Sequence, residues 1–202
     1  MKHGMLYPRL TEKGELIDEG QMVQCREHLS RARRIVFLTG VITDETESCN
    51  LLMALASLNE NPIKMIVTSP GGLLDTTYMF CDTMKLVGVP IVTLARYCMS
   101  AAVLPFITGS PRYVLPNAKI MLHLPSAQLT GDARELDIQK EQFNKDKEKL
   151  VAYLQEHGVK KSRQQILKDI DREHWMGAEE AIKYGLADEI MTPEIMKSWL
   201  RG

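Results

Sequence analysis

Nucleophilic catalysis needs a hydroxyl or thiol, a base to take its proton, and donors for the oxyanion that forms. Ser100 follows an apolar run at 91–95 and precedes the small, apolar Ala101-Ala102-Val103. A serine there serves either as a plain helix N-cap or as a nucleophile at a strand-to-helix turn, with the Ala101 N–H ready to meet an oxyanion. His123 lies in Lys119-Ile120-Met121-Leu122-His123-Leu124-Pro125, the one histidine of the sequence inside an apolar strand pattern. It is either a buried, hydrogen-bonded imidazole or a general base suited to proton transfer near neutrality. His3, His28, His157 and His174 sit in polar stretches. A third, acidic group would orient the imidazole, and Asp169, Asp171 and Glu173 are the candidates. Ser69-Pro70-Gly71-Gly72 brings two adjacent glycines, whose backbone N–H groups can approach a ligand closely, ahead of a helix N-terminus. The same four residues also make an ordinary tight turn.

Such groups need strand ends to hold them. Apolar runs at 35–38, 63–68 and 91–95 read as buried strands, the first closed by Thr39-Gly40 and the second preceded by Asn61-Pro62. Residues 43–59, 73–87 and 100–108 read as the helices between and after them. Strands are expected again near 113–114, 119–124 and 187–191, and short helices at 162–170 and 178–184, the latter capped by Gly185. This alternation predicts an α/β fold with crossover helices on a parallel sheet, where functional groups gather at the carboxyl ends of strands. Before residue 33 the chain reads as a polar arm and a helix. Residues 132–156 form a long, highly charged helix without Pro or Gly, with Leu136, Phe143, Leu150 and Leu154 along a narrow apolar seam. It packs either against a partner, another subunit included, or across its own core.

A chain of 202 residues suits one domain with an ample core. The formal net charge of -1 excludes a dominant electrostatic footprint for nucleic acid. No apolar run is long enough to span a bilayer and the first residues lack the stretch of a signal peptide, so a cytoplasmic protein is expected. Cys25, Cys49, Cys81 and Cys98 form no C-x-x-C pair and read as reduced thiols. No spacing implies a metal or an organic cofactor, and the 12 methionines are read as core filling.

Several motifs jointly resemble the proteolytic subunit of the Clp protease family. They are residues 34–50, Ser69-Pro70-Gly71-Gly72, Asp82-Thr83-Met84, Leu115-Pro116-Asn117-Ala118 with Ile120-Met121-Leu122-His123, Gly131, Asp171-Arg172-Glu173-His174-Trp175-Met176, and the segment 178–188. The resemblance spans about residues 33–191. It implies a crotonase-like α/β fold of stacked, mainly parallel β-turn units with flanking helices and a protruding strand-helix handle. The implied division is an N-terminal arm and helix at 1–32 and a peptidase domain at 33–202, with the handle at 124–156. It further implies a serine endopeptidase with Ser100 as nucleophile, His123 as base, and the N–H groups of Gly72 and Ala101 as oxyanion donors. Gly71, Ser126, Ala127 and Gln128 would bind substrate, a peptide or unfolded protein. The implied assembly is a homo-oligomer, a double heptameric ring, served by an AAA+ unfoldase, with no nucleic acid or membrane partner.

The sequence also departs from the family pattern. The triad acid aligns on Glu173 where the family has aspartate; glutamate fills that role on other folds. Arg96-Tyr97-Cys98-Met99 replaces glycine and small residues before the nucleophile, bringing bulk at Tyr97 and Met99. Pro105 is expected to kink the helix behind Ser100. Ser126-Ala127-Gln128 replaces a glycine-rich hinge, and Ile63-Lys64-Met65-Ile66 replaces the aromatic residues on which the unfoldase docks. These departures motivate a second reading, a catalytically impaired Clp-like subunit with a structural or regulatory role in a mixed ring. A crotonase-type enzyme acting on acyl-coenzyme A is a third, which leaves the Ser100/His123 pair unexplained.

Overall fold

The computed structural model describes residues 30, 32–126 and 130–201. Runs of β-branched and other apolar residues form four long strands: β1 (Ile35–Ile42), β2 (Ile63–Gly72), β3 (Ile91–Met99) and β4 (Arg112–Leu122). They pair in parallel in that order. The crossovers are α1 (Thr46–Leu58) and α2 (Leu74–Leu86), then a 3-10 turn at Ser100–Ala102 that leads into α3 (Val103–Thr108). Beyond β4 come α4 (Ala133–Glu156) and α5 (Arg163–Asp169). They are followed by β5 (His174–Met176), α6 (Ala178–Tyr184), β6 (Glu189–Ile190) and α7 (Pro193–Arg201). The outer edge of β4 is shared: β6 pairs parallel with Tyr113 and Val114, and β5 pairs antiparallel with Ile120 to Leu122. This is the expected mainly parallel α/β sheet with flanking helices.

The strands run further than their apolar cores suggest, because each carries an irregularity and then continues. The register shifts between Thr39 and Val41 on β1, between Val67 and Thr68 on β2, and between Ala95 and Tyr97 on β3. Opposite the last, β4 jumps from Val114 to Lys119, which merges the two expected strands near 113 and 119 into one. Bulges bend a strand and increase its twist, so the carboxyl halves of all four strands leave the plane of the first halves together. Gly40, at a φ of 81°, is therefore a bulge rather than the end of β1. Ser69-Pro70-Gly71-Gly72 is likewise the last stretch of β2 rather than a turn.

The main core fills the helical side of the sheet, with Leu52, Leu55, Met65, Val67, Phe80, Phe106 and Ile120 all buried. Arg34 closes the carboxyl end of α1, which has no basic residue in its own last turn. Its guanidinium donates to the carbonyls of Leu55 and Asn61 at 2.6 and 2.7 Å and more loosely to those of Asn59 and Pro62. A cation there meets the negative end of the helix dipole.

A second, smaller cluster covers the opposite face: Ile35, Leu94, Met191 and Trp199 are buried, with Phe37, Ile66, Val92, Tyr113, Ile195 and Met196 packed on them. Helix α7, beyond the last element expected from sequence, supplies Ile195, Met196 and Trp199. Lys64 is also buried, and among the described residues its ammonium has no hydrogen-bond partner. Burial, with the nearby Arg33 charge, lowers its pKa.

Helix α4 begins with a capping box in which Asp132 accepts from the amides of Arg134 and Glu135 while Glu135 answers to the Asp132 amide. Only its end docks on the core, through Leu150, Val151, Tyr153 and Leu154. Leu136 and Ile138, near its start, are exposed. Among the described residues the apolar seam is thus used at one end alone. Gly185 ends α6 in the left-handed conformation, the cap expected from sequence. The helix expected over 15–29 lies outside the described residues.

Candidate active site

Strand β3 ends at Met99 and the next residue, Ser100, turns the chain into a helix. Ser100 has a φ of 52°, in the left-handed region that a side chain with a Cβ rarely adopts. Strain of this kind persists only where the surroundings hold it, and two contacts do so. The Cys98 thiol donates to the Ala102 carbonyl at 3.2 Å, tying the two sides of the turn; burial pushes that thiol up, so it stays protonated. Gly71 packs directly behind, so close that a Cβ on it would lie 2.7 Å from the Met99 carbonyl oxygen and 2.8 Å from the Ser100 Cβ. Ser100 is therefore more than an N-cap.

Across from it, His123 stands one residue beyond β4, half-buried, with Nε2 2.6 Å from Ser100 Oγ. At the end of β2, the Leu73 amide donates to the Ile42 carbonyl at 2.8 Å. In a parallel ladder successive amides point to opposite edges, so the Gly72 N–H turns away from β1, toward the side where β3 ends. Only glycine fits there: a Cβ on Gly72 would sit 2.0 Å from the Ile42 carbonyl oxygen. The buried Ser69 hydroxyl donates to the Gly40 carbonyl at 2.6 Å and accepts from the Gly71 amide at 3.0 Å, fixing the glycine pair against the β1 bulge. Sequence reasoning missed that positioning role, although Ser69 lay inside the motif it singled out.

Gly72, Ser100, Ala101, His123 and Ser126 surround one cavity of about 180 Å³, whose apolar wall is Leu73, Leu74, Leu122 and Leu150. The structure thus brings the ends of β2 and β3 and the residues that follow β4 around one cavity. Ala127 and Gln128 lie outside the described residues. Tyr97, expected to tighten this site, instead lines a separate cleft with Arg96 and Asn117. Pro105 falls in the first turn of the short α3, where its missing N–H leaves no helical bond unmade.

The acidic candidates have separate fates. Asp169 accepts from Lys161 Nζ at 2.7 Å and from the Tyr184 hydroxyl at 3.2 Å, a structural role. Asp171 is exposed, with Arg172 3.9 Å away. Glu173 stands one residue before β5. The β4–β5 ladder ends with Leu122 paired to His174, and the next backbone bond runs from the Leu124 amide to the Ile170 carbonyl, which leaves Glu173 in a three-residue bulge facing His123. Its carboxylate, however, accepts from the Trp175 indole N–H at 2.9 Å, and no hydrogen bond joins it to His123. Among the described residues no cluster of His, Cys, Asp or Glu could hold a metal ion. Cys49, Cys81 and Cys98 are free and buried; Cys25 lies outside those residues. No described helix is long and apolar enough to cross a membrane.

A serine hydroxyl bonded to an imidazole beside two strand-end amides is the constellation by which serine hydrolases attack acyl carbons. Comparison with known proteins identifies which such lineage this is. A model of the Clp protease family matches residues 18–194. Proteolytic subunit 2 of the ATP-dependent Clp protease of Corynebacterium efficiens is 36% identical over 168 residues, 79% of this chain and 82% of the relative. Proteolytic subunit 3 from Rhizobium meliloti is 34% identical over 164 residues, 79% of this chain and 84% of that one. In three dimensions a mutant ClpP1 from Listeria monocytogenes superposes with a TM-score of 0.75 at 24% identity, over 82% of this chain and 95% of its own, a likeness of fold. The chain belongs to the Clp protease family.

Proposed function

We propose that this chain is the proteolytic subunit of a Clp-type protease, a serine endopeptidase that cleaves peptides or unfolded protein inside an oligomeric chamber. The observation that carries the reading is the 2.6 Å contact between Ser100 Oγ and His123 Nε2 at a cavity that Gly72 and Ala101 also line. Ser100 attacks the scissile carbonyl as His123 takes its proton. The carbonyl oxygen, now an anion, is met by the Gly72 and Ala101 amides. The intermediate collapses to an acyl-enzyme as His123 passes the proton to the leaving amine. Water, deprotonated by the same imidazole, then releases the second product. Glu173 is the acid that orients His123 when the loop at 171–173 allows it. Substrate lies extended beside Gly71 and Ser126, in backbone hydrogen bonds that tolerate many sequences.

The exposed start of α4 supports assembly: a helix this charged gains its stability from packing, and most of its length finds none within the chain. Two copies meeting across a two-fold axis would pair its mixed charges, as in a double heptameric ring. An AAA+ unfoldase would feed such a chamber, although where the family has docking aromatics this chain has Lys64, which is buried, and Ile66, which packs on the second cluster.

A fluorophosphonate probe followed by mass spectrometry tests the chemistry, with Ser100 as the expected site of labelling. Light scattering tests the assembly; a stable monomer at micromolar concentration and physiological salt would refute the chamber. The Glu173–Trp175 hydrogen bond favours a second reading, a catalytically impaired subunit of a mixed ring. Peptide turnover equal in the isolated protein and in Ser100→Ala would select it.

A further inference from the structure

Glu173 stands between two competing donors. In an antiparallel pair, residues opposite each other share a face with Cβ atoms about 5 Å apart, and residues two apart on one strand share a face at about 7 Å. The β4–β5 ladder ends at the Leu122–His174 pair, so Glu173 comes just before β5, with Trp175 two residues along the chain and His123 on the facing segment. The next backbone bond beyond the Leu122–His174 pair, from the Leu124 amide to the Ile170 carbonyl at 2.9 Å, leaves residues 171–173 as a bulge facing His123. His174 faces the other way, against the Tyr184 ring, and Met176 is buried, so the parity of β5 is fixed. Within this frame the carboxylate accepts from the indole N–H, while among the described residues the one hydrogen bond of His123 is to Ser100.

We propose that Trp175 is a positioning residue that latches Glu173 away from His123, so that the peptidase is switched by exchange of the carboxylate from indole to imidazole. The inference rests on the reading of Glu173 as the triad acid. Two features make the exchange feasible. Glutamate is one methylene longer than aspartate, so a rotation of its side chain within the 171–173 bulge can carry the carboxylate from one neighbour to the other. Trp175 is 47% exposed, so its indole can give up the bond to water without leaving a buried donor unpaired. The latched state lowers turnover in proportion to its population. A hydrogen bond of ordinary net strength then corresponds to a factor of roughly three to ten.

The test compares Trp175→Phe, which keeps an aromatic ring but loses the donor, with the parent protein in its assembled state. The expected result is a kcat for a fluorogenic peptide about three to ten times higher at unchanged KM, with Ser100 labelled by fluorophosphonate faster by the same factor. In a Glu173→Gln background the Trp175→Phe change should have no effect, a coupling that a merely structural tryptophan would not show. Glu173→Asp, too short to keep the indole bond, should raise kcat by itself if Trp175→Phe does not fold. An unchanged or lowered kcat in either variant, or an equal gain in the Glu173→Gln background, overturns the latch while leaving the peptidase reading intact. Absence of Ser100 labelling in every variant overturns both.

Discussion

Gly71→Ala probes the wall between the glycine pair and the nucleophile turn. The added Cβ would lie 2.7 Å from the Met99 carbonyl oxygen, 2.8 Å from the Ser100 Cβ and 3.0 Å from the Ala101 nitrogen. Reaching the 3.4 Å of ordinary contact from 2.7 Å requires a displacement of about 0.7 Å, shared between β2 and the turn that carries both the Ser100 hydroxyl and the Ala101 amide. Misplacement on that scale costs on the order of 10-fold to 10²-fold in kcat/KM. The residue also sits at a φ of 94°, which a side chain adopts at about 1–2 kcal/mol. With the overlap, the loss of stability should be about 2–3 kcal/mol, or about 4–12 °C in Tm. Gly88→Ala is the comparator, because Gly88 has a φ of 72° and a Cβ added to it would meet nothing within 4 Å. It should lose about 1–2 kcal/mol and no activity. The assay is fluorogenic peptide turnover with thermal unfolding on the same samples. If Gly71→Ala folds and keeps kcat/KM within about twofold of the parent, the close packing behind Ser100 does not position the site, and the reasoning fails.

Ser100→Gly should abolish peptide turnover yet raise Tm by about 2–4 °C, since glycine relieves roughly 1 kcal/mol at a φ of 52°; calorimetry with an activity assay reads both. Arg34→Ala should cost about 3 kcal/mol in urea unfolding, because four carbonyls lose a shared donor, and Arg34→Lys should not rescue it since an ammonium cannot reproduce the fork. Asp188 is held below the usual carboxylate range by its hydrogen bonds to the Arg112 side chain and amide. A depressed folded pKa gives stability that is present above the unfolded value near ~3.9 and is lost as pH falls through the folded one. The Tm gap between the parent and Asp188→Asn should therefore be full at neutral pH and close in acid; a gap that persists in acid would remove the ion pair as its cause.

The strands at 35–38, 63–68 and 91–95 were legible because each is a short apolar run between turn residues, and their order implied the parallel sheet. Their continuations were not. Gly40 and Gly71-Gly72 read as chain breaks, whereas in the structure glycine is what lets β1, β2 and the Ser100 turn approach within a Cβ of each other. Three-residue β5 is too brief for any periodicity, and its pairing is set by β4. Helix α7 did carry a signal, Pro193 at its first turn with Ile195, Met196 and Trp199 on one side, but it follows the segment that closes the resemblance and is short. Ser100 and His123 were legible from their settings. The bond that occupies Glu173 was not, because an indole two residues along a strand becomes a competitor only once the strand exists.

The aligned irregularities of the four strands separate the phase of the site from the phase of the core. A strand's side chains alternate, so inserting or deleting one residue exchanges everything downstream between the two faces. Ile42, Gly72, Ser100 and His123 all lie after the irregularity of their own strand. Residues such as Val36, Met65 and Leu94, before it, belong to the cores. The number of residues in each bulge therefore decides which face Gly72, Ser100 and His123 present, independently of how the first half is packed. Conservative changes to the core halves can accumulate without turning the site. A single deletion at Gly40 or Arg96, or within 115–118, would leave the core halves paired and rotate one component of the site to the wrong side. Length at these points, more than residue type, is the quantity the fold must keep.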